Sequence, residues 1–216
     1  VNKPFEPIMY DINPQIIQLP NGIRLVYQYK DSAVGHFGTT ILAGSRYETK
    51  EEEGLAHFIE HCIFKGTTKR KAFHILSRLD SVGGELNAYT AKEEIVVYAS
   101  FTNVYLSRAV ELISDILFNS TFPEKEIEKE KEVVLDEINS YLDAPSDRIF
   151  DDFESKLFRG HPLGGNILGT EDSVRGFTRE NIIAYIKKHF TTNNMVGSYV
   201  GNESFKKVKQ LVDKYF

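Results

Sequence analysis

The stretch GLAHFIEHCIFKG, residues 54–66, carries His57, Glu60 and His61 among otherwise mostly apolar residues. Read as an α-helix at about 100° per residue, it sets the two histidines about 40° apart, with Glu60 at the edge of the same face. Leu55, Phe58, Ile59, Cys62 and Ile63 make the segment apolar nearly all round, which predicts a buried helix. Two imidazoles and a carboxylate buried without partners would cost several kcal/mol. A divalent cation removes that cost. Neutral imidazoles suit zinc, a third protein donor completes the protein's share, and an open position holds a water for which Glu60 is the general base. The bland reading is two core histidines and a surface glutamate that meet by accident, and a five-residue pattern alone does not exclude it.

The surrounding 216 residues suffice for one large domain or two small ones. Twenty-six basic and 31 acidic residues, interspersed to a net charge of -5, give no reason to expect nucleic acid or an anionic membrane as partner. No apolar run approaches the roughly 20 residues of a membrane span, and VNKPFEPIMYDINP at the start has no signal-peptide core. The lone Cys62 forms no intrachain disulfide and is compatible with a reducing compartment. The resulting expectation is a cytoplasmic chain, with periplasm or an organelle as alternatives.

Residues 1–14 are punctuated by proline and read as an extended lead-in. QIIQL and IRLVYQ flank Asn21-Gly22, a hairpin signal, and a third strand is expected over Val34 to Ala43. Ser45 to Glu53 reads as a polar loop whose acids are solvated. After the histidine helix, Lys71 to Val82 is amphipathic, with Ala72, Ile75, Leu76 and Leu79 inward, and Gly83-Gly84 ends it. Strands at Glu85 to Thr90 and Glu94 to Phe101 precede a helix from about Val104 to Phe118. A helix then opens at Phe122-Pro123, with Pro in its first turn, and runs to about Tyr141, followed by another over residues 146–158. GHPLGGNILGT is a Gly-rich loop without phosphate-cradle spacing. A helix from Thr178 to Phe190, a strand around Met195 to Val200 and a C-terminal helix complete one α+β domain over residues 1–216, a mostly antiparallel sheet packed against several helices.

A third donor must come from elsewhere. In the helix ending near Tyr141, Ile127, Glu130, Val134, Glu137 and Tyr141 fall three and four apart on one stripe. Two carboxylates thus occupy positions where the pattern asks for apolar residues, and both read as buried acids working on one object. One reads as a ligand and the other as its support. The competing reading is a solvated stripe in which both pair with nearby lysines. His36, His74, His161 and His189 have no ligand-like spacing and read as surface or satisfied histidines. Cys62 points away from the histidine edge and reads as core; Phe58 either packs or lines a subsite.

HFIEH, followed by GGELNAYT and then EKEKEVVLDEI, closely resembles the M16 metallopeptidases, the inverzincin family of insulysin, pitrilysin and the mitochondrial processing peptidase. The resemblance extends to the later GHPLG, ILGT and NNMV segments. It implies that His57, His61 and Glu137 bind Zn2+, that Glu60 is the catalytic base and that Glu130 supports the site. It further implies that Leu86 to Thr90 adds the peptide substrate as an extra strand, with Asn87, Ala88 and Tyr89 gripping it through β-augmentation. Without the resemblance, Asn87 reads as an ordinary turn or edge residue and Tyr89 as core.

In such enzymes two similar domains, or paired subunits, enclose the substrate, and the second contributes an Arg/Tyr pair. This chain resembles only the first. The expected partner is therefore a second homologous domain or subunit, in a homo- or hetero-oligomer where it is separate, and the isolated piece is expected to bind zinc yet hydrolyse peptides poorly. The expected activity is zinc-dependent endopeptidase cleavage of peptides or unfolded segments. Rival readings are a non-catalytic structural subunit and a zinc-stabilised binding module.

Overall fold

The computed structural model describes residues 13–216, so all but the end of the lead-in expected over 1–14 lies outside them. Six strands form one sheet: β1 (Gln15–Gln18), β2 (Arg24–Tyr29), β3 (Val34–Ile41), β4 (Glu85–Thr90), β5 (Ile95–Thr102) and β6 (Met195–Gly201). Their spatial order is β1-β2-β6-β3-β5-β4. All pairs are antiparallel except β2 with β6, which run parallel from Arg24 opposite Val196 to Tyr29 opposite Gly201. The first pair turns through Asn21-Gly22, where Gly22 takes φ 95°.

β2, β3 and β6 alternate buried with more exposed residues, so one face of the sheet forms the core. Phe37, Thr39 and Ile41 on β3, Val97, Ala99 and Phe101 on β5, and Leu25 and Tyr27 on β2 point to the core. The described residues form eight α-helices, in chain order α1 (Leu55–Ile63), α2 (Ala72–Asp80), α3 (Leu106–Asn119), α4 (Glu124–Leu142), α5 (Pro145–Leu157), α6 (Glu171–Gly176), α7 (Arg179–His189) and α8 (Phe205–Tyr215). α3 lies across β3 and β5, α1 and α2 pack against β4, and α8 against β2. α4 then packs on α1, bringing its acidic stripe over the histidine helix.

Several expectations are corrected. Leu76 faces out, 56 % exposed, because Ile75 and Leu79 alone hold α2 to the core. Pro123 is the N-cap of α4 rather than part of its first turn. α6 was not foreseen; a six-residue helix has too few turns for a period, and its signal is the Thr170/Ser173 capping box. Tyr89 is 48 % exposed rather than core. His189 is buried, and its Nε2 has no hydrogen-bond partner among the described residues. Phe58 is fully buried against Phe177 and lines no subsite.

The acids of residues 45–53 are not all solvated. The backbone amides of Gly54 and Ala56 donate to the Glu48 carboxylate at 2.9 and 2.7 Å. The N-cap of α1, Gly54, offers no side-chain cap, so a residue six positions upstream satisfies the first turn of the histidine helix. Burial pushes the Glu48 carboxyl up to about 8, against the pull of the two amides. A folded-state value above the ordinary one means that the folded chain holds this proton more tightly than the unfolded chain. Stability from Glu48 is therefore greatest at low pH and declines from about pH 5 to about 8. Glu48→Ala should cost about 1–2 kcal/mol in urea unfolding, with a larger cost at pH 5 than at pH 8. A cost that grows with pH would contradict the assignment.

Candidate metal centre

α1 places His57 and His61 one turn apart, and their Nε2 atoms are 3.2 Å from each other. Glu137 reaches in from α4, with Oε2 3.3 Å from His61 Nε2 and 3.7 Å from His57 Nε2. Among the described residues these three form the one group of three or more potential donors that converges in this way. Zinc bonds of about 2.0–2.2 Å in a tetrahedron would set donors about 3.3–3.5 Å apart, so the spacing fits. Burial, with His61 adding to it, pushes His57 down to about 4, which keeps its ring neutral at pH 7. His57 Nδ1 is buried without a hydrogen-bond partner among the described residues, so Nε2 is the ring nitrogen engaged at the site.

The two acids of the α4 stripe differ. Glu130 is buried, with Oε2 3.4 Å from His61 Nδ1 and Oε1 2.7 Å from Lys65 Nζ. A proton on His61 Nδ1 then faces Glu130 and leaves the Nε2 lone pair directed at Glu137 and His57. Glu137 was expected to be buried as well, but its side chain is 44 % exposed, because it opens onto a cleft rather than into the core. The lysine pairing of the competing reading is met at Glu130, though as a buried acid held by Lys65, and not at Glu137, whose ion-pair partners among the described residues are the two histidines.

Glu60 stands beside this group, and Thr90 Oγ1 donates to its Oε2 at 2.6 Å. Burial raises the Glu60 carboxyl, partly offset by the Thr90 hydrogen bond and by His61. The cleft has a volume of about 490 Å³ and is lined by His57, Glu60, Glu137, Tyr89 and Thr90, with Tyr141, Ala144 and Asn166 to Leu168 opposite. Tyr141 donates to Asp151 Oδ2 at 2.5 Å, and Lys92 lies 3.6 Å from Asp151 and 3.4 Å from Glu154 while donating to the Gly165 carbonyl. Together they tie α5 and the Gly-rich loop to the cleft. That loop reaches α1 itself: a Cβ on Gly54 (φ 89°) would lie 2.6 Å from the Leu168 carbonyl oxygen. Burial pushes the Cys62 thiol up to about 12, and Cys62 lies in the core as expected.

Asn87, Ala88 and Tyr89 lie on β4, which among the described residues pairs only with β5 and is the sheet's edge. Asn87 is exposed, and its Oδ1 accepts from the Ala88 amide at 2.9 Å. Thr90, Lys65 and Glu48 were missed as site residues. NAYT and FKG contain the first two, but only the packing of β4 and α4 on α1 shows what they touch.

A sequence model described as Insulinase (Peptidase family M16) matches residues 24–171, and one described as Peptidase M16 inactive domain matches residues 176–216. An uncharacterized zinc protease of Rickettsia felis is 39 % identical over 207 residues, covering 94 % of this chain and 50 % of that protein. The mitochondrial-processing peptidase subunit beta of Neurospora crassa is 36 % identical over 206 residues, covering 95 % and 43 %. A crystal structure of a protease from Helicobacter pylori superposes with a TM-score of 0.90 at 24 % identity, over 96 % of this chain and 50 % of that one, and so shares the fold. The chain spans about half the length of these relatives.

Zinc at a hundredfold excess over its dissociation constant should stabilise the chain by about 2.7 kcal/mol, a rise of roughly 5–10 °C in melting temperature. Glu137→Gln should abolish most of that rise and lose zinc on dialysis, as read by metal analysis. An unchanged rise would remove Glu137 from the ligand set.

Proposed function

The chain belongs to peptidase family M16, and on that premise we propose that it carries the catalytic domain of a zinc endopeptidase that hydrolyses peptides or unfolded segments. The observation that carries this reading is the convergence of two imidazoles and a carboxylate beside a fourth group, Glu60, that is free to act on a water. His57, His61 and Glu137 would hold the zinc, which when bound supplies Lewis acidity and a water of lowered pKa.

The remaining work falls to the chain's own groups. Lys65 fixes Glu130, and Glu130 fixes the tautomer and tilt of His61. Thr90 engages one oxygen of Glu60 and aims the other into the cleft. Glu60 then takes a proton from the attacking water and delivers it to the departing amine; its raised pKa brings it nearer the working pH for both transfers. The outer edge of β4 offers its backbone to an extended peptide, which adds as a seventh strand at Asn87, Ala88 and Tyr89 once the Ala88 amide leaves the Asn87 side chain that it now donates to. A strand so placed runs along the side of the cleft where Thr90 meets Glu60.

A second homologous domain or subunit would close over that strand. Half-length coverage of the relatives supports this. The isolated chain would bind zinc but turn over slowly. A purely structural role would not need Glu60, Thr90 and the Lys65–Glu130–His61 chain to be intact together.

In the full-length protein, Glu60→Gln should keep stoichiometric zinc and lower kcat by about 10²–10⁴-fold. Full activity in that variant would end this reading. Thr90→Val should leave zinc content unchanged and reduce kcat about tenfold with little change in KM, because only the aim of Glu60 is lost; a selective rise in KM would instead make Thr90 a substrate contact.

A further inference from the structure

The edge strand β4 connects two depressions. At its Thr90 end lies the metal cleft; at its Glu85 end, where α2 packs alongside, a groove of about 340 Å³ is lined by Phe73, Leu76, Asp80, Glu85 and Leu86. α2 is anchored by Ile75 and Leu79, both fully buried, so Phe73 and Leu76, 74 % and 56 % exposed, are apolar surface beyond what packing requires. Asp80 and Glu85 are exposed, and neither has a cation within ion-pair distance among the described residues.

Strand periodicity links the two ends. Leu86 and Thr90 are four residues apart, so their side chains share the helix-facing side of the sheet, about 14 Å from one another. A peptide paired along this edge keeps the same spacing. We propose that the α2–β4 groove is a distal subsite for the peptide whose scissile bond lies at the metal cleft, taking a large apolar side chain beside a lysine or arginine about four residues from that bond. The apolar residue would cover Phe73, Leu76 and Leu86, and the cation would meet Asp80 and Glu85. This rests on the reading of β4 as the strand that receives substrate. It adds a length requirement: peptides too short to reach Leu86 lose this contact while still filling the cleft.

The test uses the full-length protein carrying Glu60→Gln, so that binding of fluorescein-labelled peptides is read by anisotropy without cleavage. Three peptides share one central sequence; two carry Leu-Lys four and five residues from the central bond, on the amino or the carboxyl side, and the third carries Ser-Ser at both places. One Leu-Lys peptide should bind about tenfold tighter than the Ser-Ser peptide. That advantage should shrink to less than about twofold when Phe73→Ser and Leu76→Ser are added. Equal binding of all three peptides overturns the proposal, as does an advantage that survives the two substitutions. A lower melting temperature or changed oligomeric state with peptide binding intact also overturns it, since the patch would then contact the rest of the protein. Cleavage by the protein with Glu60 intact is followed in parallel. Binding that depends on the Leu-Lys pair, without cleavage, supports the distal subsite and refutes only the catalytic reading.

Discussion

Everything at the site follows from the cost of placing two imidazoles on an otherwise apolar helix. His57 has no room to be protonated, since burial pushes it down to about 4, and one of its nitrogens has no hydrogen-bond partner among the described residues. What makes the arrangement tolerable is a shared focus: three donor atoms within 3.7 Å of one another, supplied by two helices far apart in sequence. The fold is arranged to hold that focus. Glu48 fixes the start of α1, β4 supports it from the sheet, and α4 crosses it with Glu130 and Glu137 at the right height.

The two glutamates show how position along one helix divides labour. Seven residues apart, they share a face, but the depth of α1 beneath them differs. Glu130 meets the buried end, where Lys65 balances its charge, and acts on His61 from behind. Glu137 lies where α4 leaves the core and the cleft opens, so it can reach both rings and remain 44 % exposed. Exchanging their surroundings would leave a buried carboxylate without a cation and an exposed one without a ring to orient.

The strongly periodic parts were legible in the sequence. HFIEH on an apolar helix and the alternation of Ile95, Val97 and Ala99 in β5 each carry a local pattern that burial later obeys. What was not legible depends on partners distant in the chain. Glu48 reads as one more acid in a charged loop until the folded chain gives it the amides of Gly54 and Ala56. Thr90 reads as the end of a strand until α1 brings Glu60 to it. Leu76 obeys the helical period yet faces solvent, because α2 sits at the sheet's edge and has only one layer beneath it. Glu137 was read as buried since a period gives direction but not depth.

β6, residues 195–201, lies between β2 and β3, and without it the sheet would fall into two separate pieces. Its pairing of Val196 with Arg24 spans most of the described chain. During synthesis the β1–β2 hairpin and the β3–β5–β4 group can each form early, but they have no common hydrogen-bond ladder until the ribosome has released residue 201. Until then the edges of β2 and β3 that β6 will occupy are both unpaired, a window in which a chaperone or a neighbouring nascent chain competes for them.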